Sequence, residues 1–168
     1  MEYSKDLFWQ DLKSGKFAMM VRESSKGRTV SNSTEVYNVL KPLISAHDDV
    51  EVLYGIFLDS KNHILEIEKI SVGSINASAV YPREILKKVL SHKAAALVLA
   101  HNHPSGCTEP SNEDRAITAR TGFLLQTLGV PLLDHIIIGQ SHHSMADAGV
   151  MQQLQEQFNK ALTGLERR

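Results

Sequence analysis

Apolar residues recur along this chain with two periods, and each period predicts its own elements. After a polar stretch, Ser24 to Ser31, Asn32 stands three residues before Glu35, the spacing of a capping box. Val36, Val39, Leu40, Leu43 and Ile44 follow at helical spacing and predict an amphipathic helix that Pro42 kinks or splits. Glu51 to Asp59 (EVLYGIFLD) is short, nearly all apolar and rich in Val, Tyr, Ile and Phe, which predicts a central strand buried on both faces. Ser60 to His63 reads as a turn and Ile64 to Val72 as the partner strand of a hairpin, ended by Gly73 and Ser74.

Further along, Pro82 occupies a favoured first-turn position, with Ile85, Leu86, Val89 and Leu90 as the buried stripe of a helix. Ala95 to Ala100 and Leu132 to Ile138 read as two more buried strands, with a helix between them opening at Ser111 and stopping near Gly129. Val150, Leu154, Phe158 and Leu162 mark an amphipathic C-terminal helix within residues 150–168, and residues 1–31, weakly patterned, read as a loosely tied N-terminal arm. Helices alternating with buried strands define an α/β class: one mixed β-sheet with helices packed on its faces.

Composition narrows the function. The chain has 168 residues, which suits one domain. Lys and Arg number 18 against 19 Asp and Glu, so the basic excess of a protein living on phosphate contacts is missing and DNA binding is expected to be weak or indirect. A lone cysteine, Cys107, excludes both an intramolecular disulfide and a cysteine zinc cage. The longest apolar run, Ala94 to Ala100, is too short to span a membrane, and no signal peptide is evident at the N-terminus. The chain reads as soluble and cytoplasmic.

The chemistry concentrates in His101-Asn102-His103-Pro104-Ser105-Gly106-Cys107-Thr108-Glu109-Pro110-Ser111-Asn112-Glu113-Asp114, between the end of a buried strand and the start of a helix. On extended backbone His101 and His103 point to one side, so two imidazoles can converge on one ion. Asp114 falls in the first turn of the next helix and can add an oxygen ligand. Two His and one carboxylate, with a position left open, is the arrangement of a catalytic zinc site. A plainer reading stands beside it: Ser111 and Asp114 have the spacing of a capping box with Asp in place of Glu. His135 is a core histidine or an outer partner of the site. His142 and His143 read as solvated, and Cys107 as a small filler. Glu51, Glu66, Glu68, Glu84, Glu109 and Glu113 all compete for the role of general base.

His101-x-His103, seven residues, then Ser111-x-x-Asp114 matches the JAMM (MPN+) metalloprotease signature, and HNHPSGCTEPSNED closely resembles its RadC-like branch. The similarity takes in EVLYGIFLDSKNHIL, VGSIN, YPREI and LDHIIIG, over roughly residues 32–149. The resemblance implies an MPN (JAB) fold similar to that of the cytidine deaminases. It implies a Zn2+ site formed by His101, His103 and Asp114, an oxyanion-holding Ser111, and Glu51 as general base. It implies a peptide or protein substrate cut at an amide or isopeptide bond. The alternative is a metal-binding accessory protein in DNA repair or mobile-element maintenance. Three features depart from the family: no helix-hairpin-helix segment, Tyr81 where His usually precedes Pro-Arg-Glu, and a dissimilar last twenty residues. A deaminase ranks last among the readings because its H-x-E and P-C-x-x-C patterns are absent.

Overall fold

A computed structural model describes residues 5–44, 49–73 and 80–166. Its elements run α1 (Lys5–Lys13), α2 (Lys16–Ser25), α3 (Ser33–Ile44), β1 (Val52–Leu58), β2 (Ile64–Val72), α4 (Pro82–Ser91), β3 (Ala96–Asn102), α5 (Asn112–Gln126), β4 (Leu132–Ile138), β5 (His142–Ser144) and α6 (Val150–Glu166). The five strands form one mixed sheet in the order β2-β1-β3-β4-β5. β3 and β4 are parallel and the other neighbours antiparallel. Ser74 and part of VGSIN lie outside the described residues.

Residue parity on the two central strands sorts side chains into two cores. Val52, Tyr54, Ile56 and Leu58 of β1 and Ala96, Val98 and Ala100 of β3 pack with Val36, Val39, Leu40 and Leu43 of α3. The alternate residues, Leu53 and Phe57 with Leu97 and Leu99, pack with Ile85 and Val89 of α4 and Ile117 and Leu125 of α5. Leu40, Leu43, Phe57, Leu97 and Leu99 are fully buried, and burying each such side chain contributes about 1.5–3 kcal/mol. Because β3 carries helices on both faces, it reads as an unbroken apolar run rather than an alternating one. The same parity puts His101, two residues beyond Leu99, on the α5 side of the sheet.

Several expectations need correcting. Pro42 does not split α3, which continues to Ile44 with Pro42 in its last described turn. Residues 1–31 are not a loose arm over their described part. They hold two helices, and Arg22 and Lys26 reach Glu66 on β2 at 3.1 and 3.0 Å. Gly27 N–H donates to the Ile64 carbonyl (2.8 Å), and Ile64 N–H returns a bond to Arg28 (2.9 Å). The weak pattern has a physical cause: Ala18 and Val21 of α2 only partly cover the core, while Met19 and Met20 stay exposed.

His142 and His143 are not in a solvated loop. They belong to the edge strand β5, and the His142 ring stacks on Tyr37 with centroids 4.7 Å apart. Three residues are too few for a strand period to show. α6 packs on its own domain, bringing Phe158 to 6.1 Å from Phe123, and leaves Leu162 exposed. No helix among the described residues is long and apolar enough to cross a membrane.

Candidate metal centre

Strand pairing brings together residues that are far apart in the chain. In the antiparallel β1/β3 register Leu53 faces His101. One strand repeat further out, Glu51 comes alongside His103, with its Oε1 3.6 Å from His103 Nε2. Glu51, His101 and His103 present donor atoms all within 4.8 Å of one another, a spacing able to hold a metal ion. Asp114 comes closer still, with Oδ1 3.1 Å from His101 Nε2 and Oδ2 3.3 Å from His103 Nε2. The two Nε2 atoms are 2.9 Å apart. His101 and Asp114 are buried, His103 and Glu51 only partly.

Asn102 explains why Glu51 is held at this edge. Its side chain accepts from Val52 N–H (2.8 Å) and donates to the Val50 carbonyl (2.9 Å), bracketing Glu51 on both sides. Motif and periodicity do not single out Asn102. The one signal it leaves in the sequence is an amide at the end of a buried strand, since a buried amide needs partners.

Four of the competing acids face cationic side chains. Glu66 pairs with Arg22 and Lys26, Glu68 with Lys88 and His92, and Glu84 with Lys87 and Arg83. Glu109 faces Arg115 at 3.8 Å, and Glu113 is exposed. Tyr81 sits exposed at the start of α4, with the Arg83 guanidinium 4.6 Å from its ring centroid.

Ser111 caps α5. Its hydroxyl accepts from Asp114 N–H, and both its N–H and its hydroxyl donate to Asp114 Oδ2. Burial by itself raises the Asp114 pKa. The close approach of the His101 ring and the bonds from Ser111 outweigh burial and hold the carboxyl well below the usual carboxylate range. Cys107 is no filler, for its thiol is exposed. Its carbonyl is what contributes, lying 2.8 Å from His103 Nδ1.

The donor set fits a metal ion. A carbonyl can only accept, so His103 Nδ1 carries the hydrogen in its bond to Cys107, which leaves Nε2, facing Asp114 and His101, as the nitrogen that can ligate. Metal–ligand bonds of 2.0–2.1 Å put neighbouring ligand atoms of a tetrahedral zinc about 3.3 Å apart. The separations of 2.9, 3.1 and 3.3 Å lie close to that value.

Two clefts open beside His103. One, of about 510 Å³, is lined by Asp49, Glu51, Gly73 and Pro104. The other, of about 310 Å³, is lined by Tyr37, Lys41, Gly106 and Gln140.

A mixed sheet flanked by helices, with a Glu and two His at the end of a central strand, is the arrangement of a JAB/MPN domain. The family model described as the RadC-like JAB domain matches residues 30–150, and the chain belongs to that family. Among its relatives, a "UPF0758 protein" of Halorhodospira halophila is 41% identical over 127 residues, covering 75% of this chain and 56% of the relative. One of Coxiella burnetii is 47% identical over 106 residues, covering 62% of this chain and 47% of the relative. One of Pseudomonas savastanoi pv. phaseolicola is 39% identical over 133 residues, covering 79% and 59%. The chain thus spans about half the length of the relatives it matches.

Proposed function

We propose that the chain is a zinc-dependent hydrolase of amide bonds, peptide or isopeptide, with a peptide or protein as substrate. The observation that carries this reading is the convergence of His101 Nε2, His103 Nε2 and the Asp114 carboxylate at 2.9–3.3 Å, with the Glu51 carboxylate 3.6 Å from His103. His101, His103 and Asp114 would hold the ion. When bound, zinc supplies a Lewis acid that polarises a carbonyl and lowers the pKa of water.

The remaining work falls to the chain. Glu51 takes the proton of the attacking water on a carboxylate oxygen and passes it to the leaving nitrogen, which is why it stands at the open edge of the site rather than among the ligands. Asn102 keeps Glu51 at that edge. Ser111 turns its hydroxyl from Asp114 Oδ2 to the oxygen of the reacting carbonyl as negative charge develops there. The two clefts beside His103 receive the chain on either side of the bond.

The test incubates purified protein with zinc, with and without chelator, against a panel of quenched peptides and lysine-linked isopeptides. Cleavage that the chelator abolishes is expected. Glu51→Gln should keep its zinc and lose about a hundredfold or more in turnover. Native turnover by Glu51→Gln removes it as the base. A zinc-loaded protein that cleaves no member of the panel overturns the hydrolase reading in favour of a metal-binding accessory protein.

A further inference from the structure

His101 has a second neighbour besides the candidate metal position. Its Nδ1 lies 2.9 Å from His135 Nε2, and His135 Nδ1 lies 2.6 Å from Thr118 Oγ1. All three side chains are fully enclosed, at 0% exposure, so water cannot stand in for any of these partners. The chain of contacts joins β3, β4 and α5, and its last member bonds back to the backbone of Asp114.

The direction of every hydrogen bond in it follows from one carbonyl. Thr118 is one helical turn beyond Asp114, and its hydroxyl bonds the Asp114 carbonyl oxygen. A carbonyl oxygen has no hydrogen to give, so the hydroxyl donates there and its single hydrogen is used. Toward His135, then, Thr118 Oγ1 can only accept, and His135 Nδ1 must carry a hydrogen. A neutral imidazole has one N–H, so His135 Nε2 is bare and accepts from His101 Nδ1–H. The hydrogen of a neutral His101 ring is thus on Nδ1, which leaves Nε2 as the nitrogen that can ligate, facing Asp114 Oδ1 at 3.1 Å. Reverse any link and two hydrogens, or two lone pairs, meet inside a dry core, which costs about 1–3 kcal/mol for each unmet group.

We propose that Thr118 and His135 are positioning residues which lock His101 in the tautomer that can ligate a metal ion. The inference rests on the metal-centre reading above. His103 is locked in the same tautomer by a different device, the Cys107 carbonyl at 2.8 Å. The deeper ligand thus takes its tautomer from a three-residue relay and the outer one from its own loop. The relay starts from the Asp114 backbone, so one residue offers a carboxylate to the site and sets the tautomer of its neighbour.

The test uses the full chain. Imidazole 1H–15N spectra of the metal-free protein report tautomers directly, and zinc affinity is measured by competition with a chromogenic chelator. Hydrogen on Nδ1 is expected for His101, His103 and His135, with Nε2 bare in His135. Thr118→Val, close to Thr in shape, should weaken zinc binding about ten- to a hundredfold, as loss of a ligand's outer hydrogen-bond partner does. Thr118→Ser, which keeps the hydroxyl, should bind as the parent does. His135→Gln, with an amide oxygen able to accept from His101, should lose less than His135→Leu.

A bare Nδ1 on His101 in the parent overturns the proposal, as does a folded Thr118→Val that binds zinc within twofold of the parent. Should Thr118→Val fail to fold, the parent's imidazole spectrum decides the matter alone. A parent with no zinc affinity would sink the metal-centre reading, while the spectrum would still judge the relay.

Discussion

Ser111 and Asp114 share three hydrogen bonds, and both bonds that Asp114 accepts from Ser111 fall on the same oxygen, Oδ2. Oδ1 is left facing His101 Nε2. The cap and the candidate ligand are therefore one carboxylate used on two sides. The two readings the sequence offers, a capped helix or a metal ligand, are compatible in one arrangement, for the cap leaves Oδ1 turned toward His101.

Replacing the carboxylate separates the two uses. Asp114→Asn retains an amide oxygen for Ser111 N–H but loses the charge that a metal ion needs. Zinc affinity should fall by more than about a hundredfold, beyond the loss expected for an outer partner, with the helical circular dichroism signal kept. Isothermal titration measures this, and parent-like affinity would remove Asp114 from the ligand set.

Ser111 can be divided in the same way. Asn caps a helix about as well as Ser, whereas Ala costs about 1 kcal/mol. Ser111→Asn should melt near the parent temperature but lose about a hundredfold in turnover if the hydroxyl serves the oxyanion. Ser111→Ala should lose both stability and turnover. Full turnover by Ser111→Asn would leave Ser111 with its cap alone.

Gly139 follows β4 and touches the loop that carries His103. A Cβ added there would collide with the Gly106 carbonyl, which also accepts from Gln140 N–H at 3.2 Å. Gly139→Ala must push the loop aside, at a cost of about 1–3 kcal/mol. Because that loop supplies the Cys107 carbonyl to His103, zinc affinity should fall with the melting temperature. Calorimetry and zinc competition together check this, and an unshifted melting temperature would contradict it.

The N-terminal helices offer a prediction independent of the site. Burial raises the pKa of Glu66, but the hydrogen bonds of Lys26 and Arg22 outweigh it and leave the carboxyl below its ordinary value. A carboxyl depressed in the folded state stabilises the fold above its unfolded pKa and loses that contribution as pH falls through the folded value. Glu66→Gln should therefore cost about 0.5–1 kcal/mol at neutral pH. The gap between parent and variant should close on acidification below about pH 4.3, the ordinary Glu value. Urea titrations across that range measure it, and a gap independent of pH would refute the assignment.

Three kinds of feature are legible in the order of the residues. β4 appears over Leu132–Ile138 as expected, and β1 lies within Glu51 to Asp59, because strands covered on both faces are unbroken apolar runs. The N-terminus of α5 is legible because Ser-x-x-Asp is a local signal needing only four residues. His101, His103 and Asp114 lie within fourteen residues, so a short loop suffices to bring them together.

Other features are decided by the tertiary structure. In the order of the residues Glu51 differs from Glu109 and Glu113 only in opening an apolar strand, as the family resemblance also requires of the base. It stands beside His103 because of the β1/β3 register, and register is a property of two strands together. His135 reads equally as a core residue or an outer partner until the parallel β3/β4 pairing sets it opposite Leu99, within reach of His101. β5 and α2 leave no period in the sequence because one is too short and the other too thinly buried. Local hydrogen bonds and hydrophobic runs are written in neighbouring residues, so the sequence by itself determined the central strands, the longer helices between them and the loop from His101 to Asp114. The place of the candidate base, the contacts of the proposed relay and the amide that brackets Glu51 depend on residues 17 to 52 positions apart, and only the assembled sheet decides those.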